Sequence, residues 1–534
     1  MTAAVPAPRQ GLLLLATGLG LFMIFLDATI VNVALPDIQS DFDVGEAGIQ
    51  WVVAAYTLTM GMFMMSAAAF ADSRGRRRAY LAGLVLFSVA SIGCAVAPGL
   101  VVLNLFRGLQ GVGAGIVNVA SLALVSAAFD DEAARAKAIG VWTGIAAVGL
   151  AAGPTVGGVL TETFDWRSIF VVNPVIGGIA IVLTLRFVGE SRDPIVRRLD
   201  GAGQLLFIVA VGALTYGLVE GPHKGWASAV ILSCLVGSAV LIAVFAWVEL
   251  RTRDPMMDVR VFADPVYTTA IVTVFAVLFA LYGTLLIITQ YLQNVRDYSP
   301  EQAGLVMLAM TVPTIIFAPI AGRLVARVGA RRPTLAGVTA VCAGCAVLAL
   351  TTGGWLGWTM IGLIGPGIAG GLAISPATHM AMSSIPADRS GMASGILSAQ
   401  RALGSTAGFA IMGSVLAAVV ASVLPGYLED SIPDEGLRDE VAAEVAEAAN
   451  PRAVVSLIGP RQPLADYVPE SDEIVDEVDD AFVTAIRAAI AVGFAVSAAA
   501  LVLGWVVFPR GTALIGRGRE PAPSPDRTAR RVAG

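Results

Sequence analysis

LFMIFLDATIVNVALP, residues 21–36, places one acidic residue in the middle of an apolar run that extends from Leu12 to Leu35. At a rise of about 1.5 Å per residue such a run crosses a hydrocarbon layer of about 30 Å. It is too long for the apolar core of a secretory leader, and no small-residue cleavage site closes it, so it reads as a retained first membrane helix. Asp27 is the only acidic residue well inside any apolar run of the chain. A lone carboxylate near mid-membrane costs several kcal/mol, so it must be held neutral or paired. Either condition suits a proton-binding site; a static buried ion pair is the competing reading.

The rest of the sequence repeats this pattern. Of 534 residues, 56% are hydrophobic and 14% charged, whereas a soluble domain carries about a quarter of its residues as Asp, Glu, Lys and Arg. Apolar spans fall near 12–35, 48–71, 79–97, 100–128, 137–160, 168–187, 202–219, 227–249, 266–292, 303–326, 333–351, 356–378, 391–424 and 482–508. The fold class expected is therefore an all-α membrane protein with fourteen transmembrane helices. With the N-terminus inside, Arg74, Arg76, Arg77, Arg78, Arg135, Lys137, Arg186, Arg192, Arg197, Arg198, Arg251, Arg253, Arg260, Arg323, Arg327, Arg331, Arg332, Arg389 and the six arginines of the tail all lie on the cytoplasmic side. Arg167, Lys224, Arg296, Arg438, Arg452 and Arg461 fall outside. This asymmetry follows the retention of positive charge in cytoplasmic loops and puts both termini in the cytoplasm.

Residues 425–481 hold sixteen Asp or Glu against three Arg and account for the net charge of −6. They read as a solvated cap on the outer side, with a short amphipathic helix over 434–449. Residues 509–534, rich in Arg and Pro, read as a disordered cytoplasmic tail resting on membrane lipids. The four cysteines all lie in spans, and the CxxC of Cys342 and Cys345 lacks a second ligand pair, so no metal is expected. GPGIAG, residues 365–370, matches GxGxxG but follows no strand and has no Walker-type partner. Neither nucleotide nor nucleic acid is expected as a partner, no cofactor is expected, and ATP bound by this chain is not the expected energy source.

An internal echo explains the helix count. AAAFADSRGRRR, residues 67–78, and GRLVARVGARR, residues 322–332, each follow a span, carry a small residue seven positions before a Gly, and end in arginines. The first follows helix 2 and the second helix 10, so two extra helices separate the copies. The domains expected are a six-helix bundle over 1–200, two linking helices over 201–250, and a second six-helix bundle over 251–508.

Three further motifs carry chemistry. Arg107, in LNLFRGLQGVGAG, lies eight residues into helix 4 from Gly99. Asp27 is nine residues from Pro36, about 13 Å below the outer helix end. The two sit at nearly one depth, and since an Arg does not readily lose its proton, adjacency would couple protonation of Asp27 to a change of partner for Arg107. GLAAGPTVGG, residues 149–158, sets Gly149, Gly153, Pro154, Gly157 and Gly158 in helix 5, a closely packed, kinked hinge. Asp72, with Arg74, Gly75 and Arg76, forms a cytoplasmic turn in which the carboxylate can cap a helix and latch one conformation. His379 and Arg401 lie near cytoplasmic helix ends, where a headgroup contact is expected. Tyr56, Asn118 and Trp142 are the weak candidates for a substrate cavity, equally explained by packing.

Together, LDATIVNVALP, RGLQGVGAG, the GxxxGPxxGG of helix 5 and the loop after helix 2 resemble the motif set of the major facilitator superfamily. In detail they are similar to its fourteen-helix drug/proton antiporters and, within those, to actinobacterial exporters of tetracycline and spectinomycin. The resemblance implies two six-helix bundles around a cavity, alternating access, and proton inflow driving outflow of small-molecule drugs across a bacterial plasma membrane. It implies a secondary active transporter rather than an enzyme, with Asp27 as the protonation site and Asp72 in the gate. The sequence departs from the loop motif at Ala68 and Ser73. The same motifs would serve an exporter of one endogenous metabolite or lipid, and the acidic outer loop would serve a non-transporting sensor or scaffold.

Overall fold

The computed structural model describes residues 7–129, 131–191, 201–225, 227–252, 259–385, 390–448, 450–451, 453–457, 464 and 471–509. The helices are α1 (Ala7–Phe42), α2 (Glu46–Arg74), α3 (Arg76–Ala95), α4 (Leu100–Ala128), α5 (Glu132–Thr163), α6 (Ser168–Phe187), α7 (Gly201–Lys224), α8 (Ala229–Arg251) and α9 (Pro265–Gln290). They continue with α10 (Pro300–Val328), α11 (Arg331–Thr351), α12 (Leu356–Leu372), α13 (Ile374–Ser383), α14 (Ser390–Tyr427), α15 (Glu435–Ala448), α16 (Ala453–Leu457) and α17 (Ser471–Val507). Among the described residues thirteen helices are long and apolar enough to cross a membrane. The described apolar run of α2, Gly48–Met64, is shorter.

The starts of several helices are written in the sequence. Asp131, Ser228 and Asp264 accept a backbone N–H at the first turns of α5, α8 and α9, and Ser299 with Gln302 forms a reciprocal capping box on α10. Two helices overrun their expected limits. α1 continues through Pro36 to Phe42, although proline lacks the N–H that would bond the Asn32 carbonyl. α17 begins at Ser471, well before the apolar span.

α1 lies along α5 and also meets α4 and α6; α2 packs on α4, and α3 on α4 and α6. The second bundle repeats this arrangement, with α9 against α14 and α17, α10 against α12, and α11 against α12 and α17. Gly75, between α2 and α3, and Gly329, between α10 and α11, hold φ of 107° and 78°. These are left-handed values that disfavour any side chain, so the sequence echo is an echo of turn geometry. The bundles meet along two seams, α5 with α10 and α2 with α14, while α7 pairs with α8 and lies on α2 and α14. Val89, Leu105, Val175, Val236, Leu350 and Val506 face outward, as the lipid-facing surface of a membrane bundle requires.

The GPGIAG run lies in α12, where close approach to a neighbouring backbone needs glycine: a Cβ on Gly367 would strike Met310 of α10. The described residues of the acidic segment pack onto the bundle through their apolar side chains. Val441, Val445, Val454, Ile474 and Val478 are buried in the main core while their charged neighbours face out. The tail over 510–534 lies outside the described residues.

Candidate functional site

Asp27 is fully buried where α1, α4 and α6 meet. Arg107 Nη1 donates to its Oδ2 at 2.5 Å, Asn173 Nδ2 to Oδ1 at 2.7 Å and Gln110 Nε2 to Oδ1 at 3.3 Å. The pairing inferred from helix depth is thus observed, with two amide donors that the depth argument did not supply. Arg107, also fully buried, donates through Nε to the Val52 carbonyl and through Nη1 to Gln110 Oε1, each at 2.9 Å. Gln110 in turn donates to Ser91 Oγ at 2.7 Å. The guanidinium lies 4.4 Å from the Tyr56 ring centroid, a cation–π contact strengthened by the absence of water. Arg107 Nη2 and Asn173 Oδ1 remain without hydrogen-bond partners, so the network has a spare donor and a spare acceptor for a second arrangement. Removing one member of such a buried pair costs about 3–5 kcal/mol.

The opposite face of α1 is joined to α5. Pro154 has no N–H, which leaves the Leu150 carbonyl four residues earlier without its helical donor; Thr29 Oγ1 donates to that carbonyl at 2.9 Å. Cβ atoms on Gly149 and Gly157 would lie 2.6 Å and 2.7 Å from the Phe22 and Ile30 carbonyl oxygens, and one on Gly153 would collide with Thr29. Gly158 turns the other way: a Cβ there would meet Pro300 of α10. Gly304 faces Pro154 in the same manner. This seam, tightened by Gln293 Nε2 donating to the Val33 carbonyl at 3.0 Å, seals the two bundles on the side away from the arginine-rich turns. Thr29→Val, which keeps the shape and removes the donor, is expected to lower stability by about 1–3 kcal/mol, read as a drop in the detergent-solution Tm; an unchanged Tm would contradict the proposed capping of Leu150.

The arginine turn is anchored within its own bundle. Gly75 leaves room for the Glu190 carboxylate, which accepts from the Arg77 backbone N–H at 3.0 Å and sits 3.7 Å from Arg78 Nε. The Arg76 N–H donates to the Ser191 carbonyl at 2.9 Å. Arg74 is exposed, and the Asp72 side chain lies outside the described residues. The contacts described here attach the turn to the end of α6 rather than to the second bundle.

The sequence profile of the Major Facilitator Superfamily matches residues 17–409. Multidrug resistance protein Stp of Mycobacterium tuberculosis is 50% identical over 94% of this chain and 92% of its own length. The chain belongs to the major facilitator superfamily. Drug efflux pump JefA of the same organism is 40% identical over 94% of this chain and 99% of its own. The methylenomycin A resistance protein of Streptomyces coelicolor is 35% identical over 78% and 88%. A bacterial homolog of the human lysosomal transporter Spinster, solved inward-facing and unoccupied, shares the fold with a TM-score of 0.61 at 15% identity, over 94% of this chain and 98% of that one. This major facilitator protein is a multi-pass inner-membrane transporter, not an enzyme.

Of the three candidate cavity residues, Tyr56 and Trp142 belong to one buried cluster of the first bundle. Tyr56 is fully buried as the platform for Arg107 and donates its hydroxyl to the Ile24 carbonyl at 2.7 Å. Trp142 is a buried core residue, and Asn118 is half-buried on α4. A central cavity of about 20 Å³ lies instead between the bundles, lined by Thr29, Leu150, Pro154, Leu281, Leu285, Met310, Thr311 and Thr314, room for about one water. Gln110 could have been found from sequence, since it lies three residues from Arg107 on one helix face. Asn173 could not, because nothing in a single sequence aligns the face of α6 with α1.

Proposed function

We propose that this protein is a proton-driven exporter that extrudes hydrophobic or amphipathic drugs, antibiotics among them, by alternating access. α2 is taken as the fourteenth span, which places the arginine-rich turns and both termini in the cytoplasm and the sealed α5–α10 seam on the outer side. The relatives named for multidrug resistance and drug efflux support the substrate class. The observation that carries proton coupling is the Asp27 network: one mid-span carboxylate whose acceptor oxygens are all engaged by Arg107, Gln110 and Asn173.

Protonation removes the charge that holds Arg107, and the guanidinium then needs other acceptors. Tension on α1 from α4 and α6 falls, while Thr29 and the glycines of α5 keep α1 and α5 moving together. Because Gly158 on the same α5 abuts α10, a shift of α1 reaches the outer seam through packed backbone. Drug bound from the cytoplasmic side and a proton taken from outside thereby favour opposite arrangements.

The test uses inside-out membrane vesicles containing the protein and a panel of unrelated antibiotics. An acid lumen is expected to drive accumulation of several of them, and a proton ionophore to abolish it. Accumulation that persists after the gradient is collapsed would exclude proton coupling, and accumulation of one compound alone would exclude the multidrug reading.

A further inference from the structure

Among the described residues the second bundle shows no counterpart of Asp27. Past Glu301 in the first turn of α10, the described residues of the spans in α9 to α14 include no Asp or Glu. A cation stands just before the apolar span of α14, Leu403–Tyr427. Arg401 stands eleven residues into α14, about 16 Å along the helix, and is only partly exposed. Its Nη2 donates to Thr378 Oγ1 on α13 at 2.7 Å, and the Thr378 hydroxyl donates onward to the Ile374 carbonyl at the same distance. Arg401 Nε is buried without a hydrogen-bond partner, and so are Nε2 and Oε1 of the adjacent Gln400. Among the described residues no carboxylate pairs with this guanidinium.

A snorkelling arginine carries its head out to the interface, whereas Arg401 turns it inward to Thr378; His379, next in sequence, is the exposed one. A guanidinium cannot shed its charge, and a single neutral hydroxyl returns little of the cost of desolvating it. A fork of N–H donors is complementary to a planar oxyanion.

We infer that Arg401, with Thr378, forms a binding site for the carboxylate or equivalent oxyanion of an anionic substrate. This rests on the exporter reading and extends it: the acid of the first bundle handles the proton, and an arginine of the second selects substrates by charge. An anion leaving as a proton enters also adds to the charge that the proton displaces, so the membrane potential would assist the export of anionic drugs more than of cationic ones.

The test uses the full chain in phosphatidylcholine liposomes and two dyes with one xanthene ring system, fluorescein, which bears a carboxylate, and rhodamine 6G, in which that group is esterified. In the wild type both dyes are expected to be transported down an imposed proton gradient. Arg401→Gln is expected to raise KM for fluorescein by about tenfold or more, the loss of a charge-assisted contact, and to leave rhodamine 6G unchanged, which also shows that the variant folds. Arg401→Lys should fall between, since an ammonium keeps the charge but loses the fork. An equal loss for both dyes, no loss for either, or no fluorescein transport by a wild type that moves rhodamine 6G would overturn the proposal. Fluorescein anisotropy measured without a gradient separates the two readings: if neither dye is transported yet binding is lost in Arg401→Gln, the site stands and the exporter reading fails. If phosphatidylglycerol in the bilayer abolishes fluorescein binding, the site holds lipid phosphate and the substrate assignment is wrong.

Discussion

Asp27→Asn is expected to abolish drug accumulation driven by a pH gradient while leaving the protein folded. Asparagine has the shape of aspartate and can still accept from Asn173, but it carries neither charge nor exchangeable proton. Arg107 is then a buried cation without a counter-charge, at a cost of about 3–5 kcal/mol, so the single variant should also melt several degrees lower. The double variant Asp27→Asn with Arg107→Gln removes both charges and should recover most of the Tm, because partners in contact are not additive. It should not recover transport. That combination distinguishes a coupling site from a static ion pair, for which restored stability would bring restored activity.

Gly158→Leu should be nearly as severe and by a different route. Its Cβ would meet the Pro300 carbonyl and lie 2.9 Å from the Glu301 Cα, backbone atoms that cannot give way as a side chain end can. The only relief is to part α5 from α10, which disfavours the state sealed on the outer side. A cysteine introduced at Ala303, fully buried on α10, should then react with a membrane-impermeant maleimide about tenfold faster, the effect of a shift of about 1.4 kcal/mol between states, and net export should stop. Gly144→Leu is the control, since a Cβ at Gly144 on the same helix meets nothing within 4 Å. Equal labelling in Gly158→Leu and wild type would show that the seam is not a gate.

The sequence carried the fold through two features that one dimension can hold: the length of apolar runs and the side on which arginines gather. It carried half of the site as well. Asp27 was conspicuous because a carboxylate in hydrocarbon is costly wherever its partners lie, and the depth of Arg107 could be counted from a helix end. Asn173, Thr29 and Glu190 were not legible, because each acts through the facing of two helices distant in sequence. Thr29 shows this best. The need for a donor at Leu150 follows from Pro154 alone, but that α1 supplies it depends on the close approach that Gly149, Gly153 and Gly157 permit. Arg401 is half legible in the same way: its place near a helix end can be counted, but its hydrogen bond to Thr378 on α13 cannot.

The claim at the centre is that drug and proton compete through Asp27, and equilibrium binding tests it without any transport assay. Linkage requires that if drug displaces the proton, the proton weakens drug binding by the same factor. Drug affinity of the purified protein, titrated from mildly alkaline to mildly acidic pH with a drug whose own charge is constant over that range, should fall by up to about tenfold per pH unit where the proton binds, and should be flat in Asp27→Asn. A flat wild-type profile, or the same slope in both proteins, would contradict the account.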